Sequence, residues 1–215
     1  MLALDHIVFA GKVIEEASAA YSEKYALKTI RGGEHTNWGT YNYLAHFSNN
    51  CYIEWLGVYD MEKAQQSDNP LINHLVYVLE QNMLGQFQIA LRTNKLEEYI
   101  NHFNKNDIPF IGPVQGRRTK PDGEELTWSM LFPTYDHTKE MLPFLIEWDQ
   151  PEEERMDVSL MNSPSITTIR YGGVPMERFL HMYNLPFKKR IINKLSLQNC
   201  KIIFTDDKQL QIELE

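Results

Sequence analysis

Leu4-Asp5-His6-Ile7-Val8-Phe9 aligns without a gap on Gln86-Phe87-Gln88-Ile89-Ala90-Leu91, an offset of 82 residues that carries His6 onto Gln88. The register holds downstream: Ile14 falls on Leu96, Glu15-Glu16 on Glu97-Glu98 and Tyr21 on Phe103. Self-similarity at a fixed offset marks a duplicated supersecondary unit. In each copy the apolar run reads as a strand and the residues after it keep helical spacing. Those residues are Val13, Ile14, Ala17, Ala20 and Tyr21 in the first copy, and Leu96, Tyr99, Ile100 and Phe103 in the second. Asn94 is the expected N-cap of the second helix.

Each copy then closes on a similar strand, Cys51-Tyr52-Ile53-Glu54-Trp55 and Phe144-Leu145-Ile146-Glu147-Trp148, and both strands hold Ile-Glu-Trp. In the first copy Lys28-Thr29-Ile30-Arg31 and the strand 40–47 flank a turn at 32–39, with a further turn at Ser48-Asn49-Asn50. In the second, Arg117-Arg118-Thr119-Lys120 and the strand 125–131 flank the hairpin signal Pro121-Asp122-Gly123. His6 to Glu54 spans 48 residues and Gln88 to Glu147 spans 59, so the second copy carries extra turn residues.

The expected fold is α+β, with tandem βαβββ modules at 1–60 and 86–150 forming paired curved mixed β-sheets. A linker at 61–85 holds a helix capped by Asn69 with Pro70 in its first turn. Residues 151–215 read as a truncated third module, with strands at 166–171, 201–204 and 210–214, a helix at 176–183 and a turn at Asp206-Asp207-Lys208. It is expected to pack on the edge of the pair, covering bare strand edges.

Composition narrows the function classes. The 215 residues are 43% hydrophobic and 23% charged, which suits a folded globular protein. A formal net charge of -8 argues against nucleic acid as a partner, because that affinity rests on neutralising phosphates. No apolar run approaches the roughly 20 residues that span a bilayer, and the N-terminus turns polar too early for a secretory signal. The expectation is a cytoplasmic protein with no membrane partner. Cys51 and Cys200 are too few for a disulfide framework or a four-cysteine zinc site, and Cys51 reads as a small buried apolar residue.

A doubled strand-helix-three-strand unit, with His in the first strand and Glu in the last, resembles the vicinal oxygen chelate superfamily. More narrowly, the chain resembles the glyoxalase-like domain proteins of bacteria. The segments that carry the likeness are Leu4-Asp5-His6, Gly32-Gly33-Glu34-His35, Gly39-Thr40-Tyr41-Asn42-Tyr43-Leu44, Gly112-Pro113, Arg118-Thr119-Lys120-Pro121-Asp122-Gly123 and Pro143-Phe144-Leu145-Ile146-Glu147-Trp148. They span about residues 4 to 150. The resemblance implies a divalent metal (zinc, nickel, manganese, iron or cobalt) held by His6, Glu54, Gln88 and Glu147, the four positions that match the family pattern. It also implies a small-molecule ligand and a homodimer. Extradiol dioxygenases of the superfamily use a second His where Gln88 stands, which counts against that branch.

The residues have plainer readings too. Glu54 and Glu147 lie in apolar strands where an unpaired carboxylate is costly to bury, and alternation turns each away from its Ile and Trp neighbours. Their face is then either a functional cavity or simply wet. Gln88 reads equally as a hydrogen-bonding residue, and His6 as a strand histidine with a partner. His35, Asn37 and Trp38 either line a pocket mouth or serve as turn chemistry. Arg117 and Arg118 either clamp an anionic substrate group or belong to a solvated hairpin. Lys188-Lys189-Arg190 reads as a solvated helix end, Glu213 as solvated, and His46, His74, His102, His137 and His181 as structural or exposed.

The reading is a metal-dependent lyase or isomerase of glyoxalase type, with Glu54 or Glu147 as the base that moves a proton between adjacent carbons. The alternative is a metal-free module of the same fold that binds or sequesters a small molecule, lined by Trp38 and Trp128 before Trp55 and Trp148.

Overall fold

In the computed structural model, which describes residues 2–120, 123–155, 158–186, 193–207 and 209–215, the duplicated pattern becomes the two halves of one sheet. The first half is β1 (Ala3–Ala10), α1 (Ile14–Tyr25), β2 (Ile30–His35), β3 (Thr40–Phe47) and β4 (Cys51–Val58). Helices α2 (Met61–Gln65) and α3 (Pro70–Glu80) lead to the second half. That half is β5 (Gly85–Arg92), α4 (Leu96–Lys105), β6 (Phe110–Thr119), β7 (Glu125–Pro133) and β8 (Phe144–Trp148). After α5 (Glu152–Arg155) and a 3-10 turn come β9 (Ile166–Tyr171), α6 (Met176–Met182), β10 (Lys194–Ser196), β11 (Lys201–Phe204) and β12 (Leu210–Leu214).

The two halves join edge to edge through β1 and β5, giving one curved eight-stranded sheet of order β2-β3-β4-β1-β5-β8-β7-β6. β1 and β5 run antiparallel with His6 opposite Ala90 and Val8 opposite Gln88. A two-fold relation between copies offset by 82 residues demands just that exchange. The sheet curls until its edge strands approach, with Arg118 of β6 lying against Gly32 and Gly33 of β2.

The curl gives two faces with separate cores. On the convex face Ile7, Phe9, Ile53, Trp55, Ile89, Leu91 and Leu145 pack with Ile14 of α1 and Phe103 of α4. On the concave face Val8, Ala10, Leu56, Ala90, Phe144 and Ile146 pack against Leu71, Ile72, Leu75 and Val76 of α3. The linker helix therefore lies inside the curl. Asn69 Oδ1 accepts the Leu71 N–H at 2.9 Å and Pro70 occupies the first turn, as the sequence predicts.

Several expectations need correction. The C-terminal segment forms its own four-stranded sheet, order β10-β11-β9-β12, bonded to neither edge of the large one. Ile166, Ile169, Tyr171, Phe179, Ile202 and Phe204 instead join the convex core, because a one-sided sheet and helix must bury their apolar face against another layer. Tyr183 Oη ties the segment down by donating to the Pro143 carbonyl at 2.5 Å. Asn94 does not cap α4; Lys95 stands at the cap position and makes no side-chain cap bond. β2 continues through Gly32 and Gly33 to His35, which shortens the expected turn to 36–39. Pro121-Asp122, Lys188-Lys189-Arg190 and Lys208 lie outside the described residues.

Candidate functional site

The concave face is polar in one half and apolar in the other. Between them α3 leaves a cavity of about 460 Å³, mouth included, lined by His6, His35, Asn42, Tyr52 and Glu54 on one side. Arg118, Trp128, Met130, Phe144, Ile146 and Trp148 line the other side, and Trp38, Leu56, Leu71 and Ile72 complete the wall. The strand pattern explains each orientation. In-register partners share a face, so His6 with Tyr52, Val8 with Glu54, and Asn42 with Leu56 all point inward. On β6, Arg118 pairs with Leu126 and Gly116 with Trp128, so Arg118 points in and Arg117 out. Gly116 matters because a Cβ there would sit 2.2 Å from Trp128 Nε1; only glycine lets that indole lie across the strand.

The centre of the polar half is a chain of acidic and basic groups. His6 Nδ1 meets Asp5 Oδ1 at 2.7 Å, and His6 Nε2 stands 3.5 Å from Glu54 Oε2. Glu54 Oε1 accepts a hydrogen bond from Asn42 Nδ2 at 2.6 Å. Strict alternation would put Asp5 on the face opposite His6. A β-bulge at Asp5, between the Leu4–Leu91 and His6–Ala90 pairs, flips that parity. Leu4 and Ile7 then both face the convex core, and Asp5 joins His6 on the concave side. Asp5 is fully buried, and burial alone would raise its carboxyl. The His6 hydrogen bond and the charges of His6, Arg92 and Arg155 outweigh that and hold it at about 2. An ionised Asp5 can only accept, so Nδ1 carries the proton and Nε2 is the atom free to exchange one with Glu54.

Two neighbouring imidazoles are kept neutral. Burial pushes His35 down to about 4 against the pull of Glu54, and its Nδ1 engages Thr40 Oγ1 at 3.0 Å. Burial likewise lowers His46 to about 4. The Tyr52 phenol, raised well above its ordinary value by burial and by Asp5 and Glu54, stacks on His6 with ring centroids 4.5 Å apart. The Asn42 Oδ1 atom is buried without a partner among the described residues.

The four-residue metal set is not assembled. Glu147 lies on the opposite face from Ile146 and Trp148, outside the cavity, where its Oε2 accepts the Leu96 N–H at 2.9 Å and caps α4. Ala90 pairs with Phe144 as Val8 pairs with Glu54, so the counterpart of Glu54 is Phe144, three residues before Glu147. Gln88 faces inward but binds Tyr135 Oη through Nε2 at 2.8 Å and the Ile89 N–H through Oε1 at 2.8 Å. Leu71 and Phe144 stand between its space and that of His6. Among the described residues no group of three or more His, Cys, Asp or Glu is placed to hold a metal. The residues present do not fit the chelate that the resemblance implied.

The other expected site residues divide. His35, Trp38 and Arg118 line the cavity, whereas Asn37 sits exposed in the turn and Arg117 points outward. Of the tryptophans, Trp55 is buried against Phe9 and Tyr21 on the convex side, and Trp148 lines the cavity. Five contributors were missed: Asp5, Asn42, Tyr52, Arg92 and Arg155. Asn42 and Tyr52 carry the same inward parity as Glu54 and were legible on that ground. Asp5 needed the bulge, and Arg92 and Arg155 the tertiary structure.

A family model described as a glyoxalase-like domain matches residues 4–184. The chain belongs to that family. Its fold is shared by solved structures at low identity. A hypothetical protein from Staphylococcus aureus is similar at 22% identity and a TM-score of 0.78, covering 95% of this chain and 87% of that one. A hypothetical protein from Bacillus halodurans gives 18% and 0.51, over 70% and 96%. Methylmalonyl-CoA epimerase from Mycobacterium tuberculosis gives 14% and 0.50, over 71% and 91%. At such identities the glyoxalase-like chain shares with them the vicinal oxygen chelate fold. No curated protein matches it in sequence. Among the described residues no helix is long and apolar enough to cross a membrane.

Proposed function

We propose that this glyoxalase-like protein is an isomerase or lyase that moves a proton on a carbon beside a carbonyl, with Glu54 as the base. The observation that carries the reading is Glu54 itself. It is a buried carboxylate lining a largely apolar cavity, oriented by Asn42 and set 3.5 Å from a histidine that a second carboxylate holds in place. A base so positioned needs little reorganisation. Glu54 takes the proton from the substrate carbon; the C–H electron pair becomes the C=C bond and the carbonyl π pair moves onto oxygen, giving an enolate. The Arg118 guanidinium, lining the same cavity, faces that charge. The resulting Glu54 carboxylic acid donates toward His6 Nε2 until it returns the proton to the adjacent carbon. The family fold and the likeness to methylmalonyl-CoA epimerase support this chemistry.

The test is proton exchange. Wild-type protein is incubated in D2O with a panel of 2-oxoaldehydes, 2-hydroxy ketones and branched acyl thioesters, and loss of the C–H signal is followed by NMR. Glu54→Gln should slow exchange by about 10²–10⁴-fold while leaving the ligand-induced rise in Tm in place. Exchange undiminished in that variant would sink the assignment of the base. Ligand binding without exchange across the panel would favour the sequestering module, whose walls are the aromatic rings of Trp38, Tyr52, Trp128 and Trp148.

A further inference from the structure

A second chamber of about 400 Å³ adjoins the cavity and shares Tyr52, Arg118 and Trp148 with it. Three guanidinium groups line it: Arg92 from β5, Arg118 from β6 and Arg155 from α5. They are held unequally. Arg92 has Asp5 Oδ2 at 3.2 Å, the Asn50 carbonyl at 3.1 Å and Glu152 at 4.0 Å. Arg155 reaches Asp5 Oδ2 at 3.8 Å and lies over the Trp148 ring, 5.3 Å from its centroid. Its Nε is buried without a partner among the described residues. Arg118 Nε is buried without a partner as well, and no carboxylate of the described residues pairs with its guanidinium.

Among the described residues charge does not balance here. Three cations face two carboxylates, Asp5 and the half-exposed Glu152, and Asp5 also serves His6. His46, which lines the chamber too, adds no positive charge at neutral pH. Buried N–H donors on a cation without an acceptor are costly, and the guanidinium fork matches the paired oxygens of a carboxylate or phosphate. The chamber is thus complementary to an anion that the described residues do not supply.

We propose that the Arg92–Arg118–Arg155 chamber binds an oxyanion, carboxylate or phosphate, carried by the same small molecule whose reacting carbon meets Glu54. The connection to the reacting end rests on the proton-transfer reading; the anion site itself does not. Arg118 stands on the shared wall, and its five N–H donors let it serve the anion and the developing enolate together.

The experiment titrates the full chain with sodium phosphate and, separately, with succinate, at constant ionic strength set by sodium chloride. Tm and the fluorescence of the tryptophans, Trp148 among them, are followed. A saturable response to either anion is expected, and the stronger of the two identifies the oxyanion as phosphate or carboxylate. Arg118→Gln, which breaks no ion pair within the described residues, should weaken binding about tenfold or more. Arg155→Gln should do the same and replaces it if Arg118→Gln does not fold by circular dichroism. Lys105→Gln, an equal loss of charge on the exposed face of α4, should change nothing. Glu54→Gln should retain the anion response, so failure of the proton-transfer chemistry and failure of the anion site are separately visible. No saturable response to either anion, or equal binding by the folded Arg variant, overturns the proposal.

Discussion

Replacing Asp5 by Asn removes the one charge to which His6, Arg92 and Arg155 all turn, while keeping the size of the side chain and an oxygen for His6. Two routes give the magnitude. Asp5 titrates at about 2 in the fold against 3.8 as a free side chain, which at about 1.4 kcal/mol per unit corresponds to about 2.5 kcal/mol of stability at neutral pH. Breaking a buried pair also leaves its partners uncompensated, at about 3–5 kcal/mol, and Arg92 and Arg155 stay partly solvated. The expected loss is about 3 kcal/mol at pH 7, read by urea unfolding followed by far-ultraviolet circular dichroism with an unchanged m value. The sign of the pH dependence is set as well. A depressed carboxylate stabilises above its unfolded pKa and loses that contribution as pH falls from about 4 toward 2. The gap between wild type and Asp5→Asn should hold from pH 8 to 5 and shrink by about 1 kcal/mol at pH 3. A gap below about 1 kcal/mol at pH 7, or one that does not narrow in acid, would refute the view of Asp5 as the anchor of this cluster.

Glu147→Ala should cost about 1 kcal/mol by removing the acceptor of the Leu96 N–H; a ligand-induced Tm shift that vanished with it would restore Glu147 to the cavity. His35, buried and neutral with its folded value near 4 against 6.5, binds a proton more readily in the unfolded chain. Stability should therefore be full above about pH 6.5 and fall through the window down to 4, by about 2 kcal/mol at pH 5 from this residue. His35→Gln should flatten that slope, and an equal slope in the variant would remove His35 as its source. Gly32→Ala would place a Cβ 2.3 Å from Asn42 Oδ1 and 2.7 Å from Arg118 Nη1. We expect a loss of about 2 kcal/mol together with a weakened phosphate response, and wild-type behaviour in both would contradict the close approach of β2 and β6.

Where the reading of the chain succeeded, the information was local. The helical spacing after each first strand and the Asn69-Pro70 start of α3 depend on residues near one another, the 82-residue offset is the recurrence of one such local pattern, and β1 and β5 meet in the register that the offset requires. Trp55 went to the core and Cys51 beside Ile53, as alternation predicts. The matching Ile-Glu-Trp tripeptides misled because likeness between two strands does not say which residue pairs with which neighbour. Pairing sets the face, and in β8 it turns Ile146 and Trp148 inward and Glu147 outward. One inserted residue at Asp5 had the same power to reverse faces.

By itself, then, the sequence determined the repeated unit, the elements and the turning of Glu54 away from its Ile and Trp neighbours, all consequences of periodicity along the chain. Only the tertiary structure decided that α3 fills the curl, that the second half faces the cavity with Phe144 where the first has Glu54, and that Arg92, Arg118 and Arg155 converge. Those outcomes depend on sheet curvature, strand register and contacts between residues far apart in the chain, which no local pattern encodes.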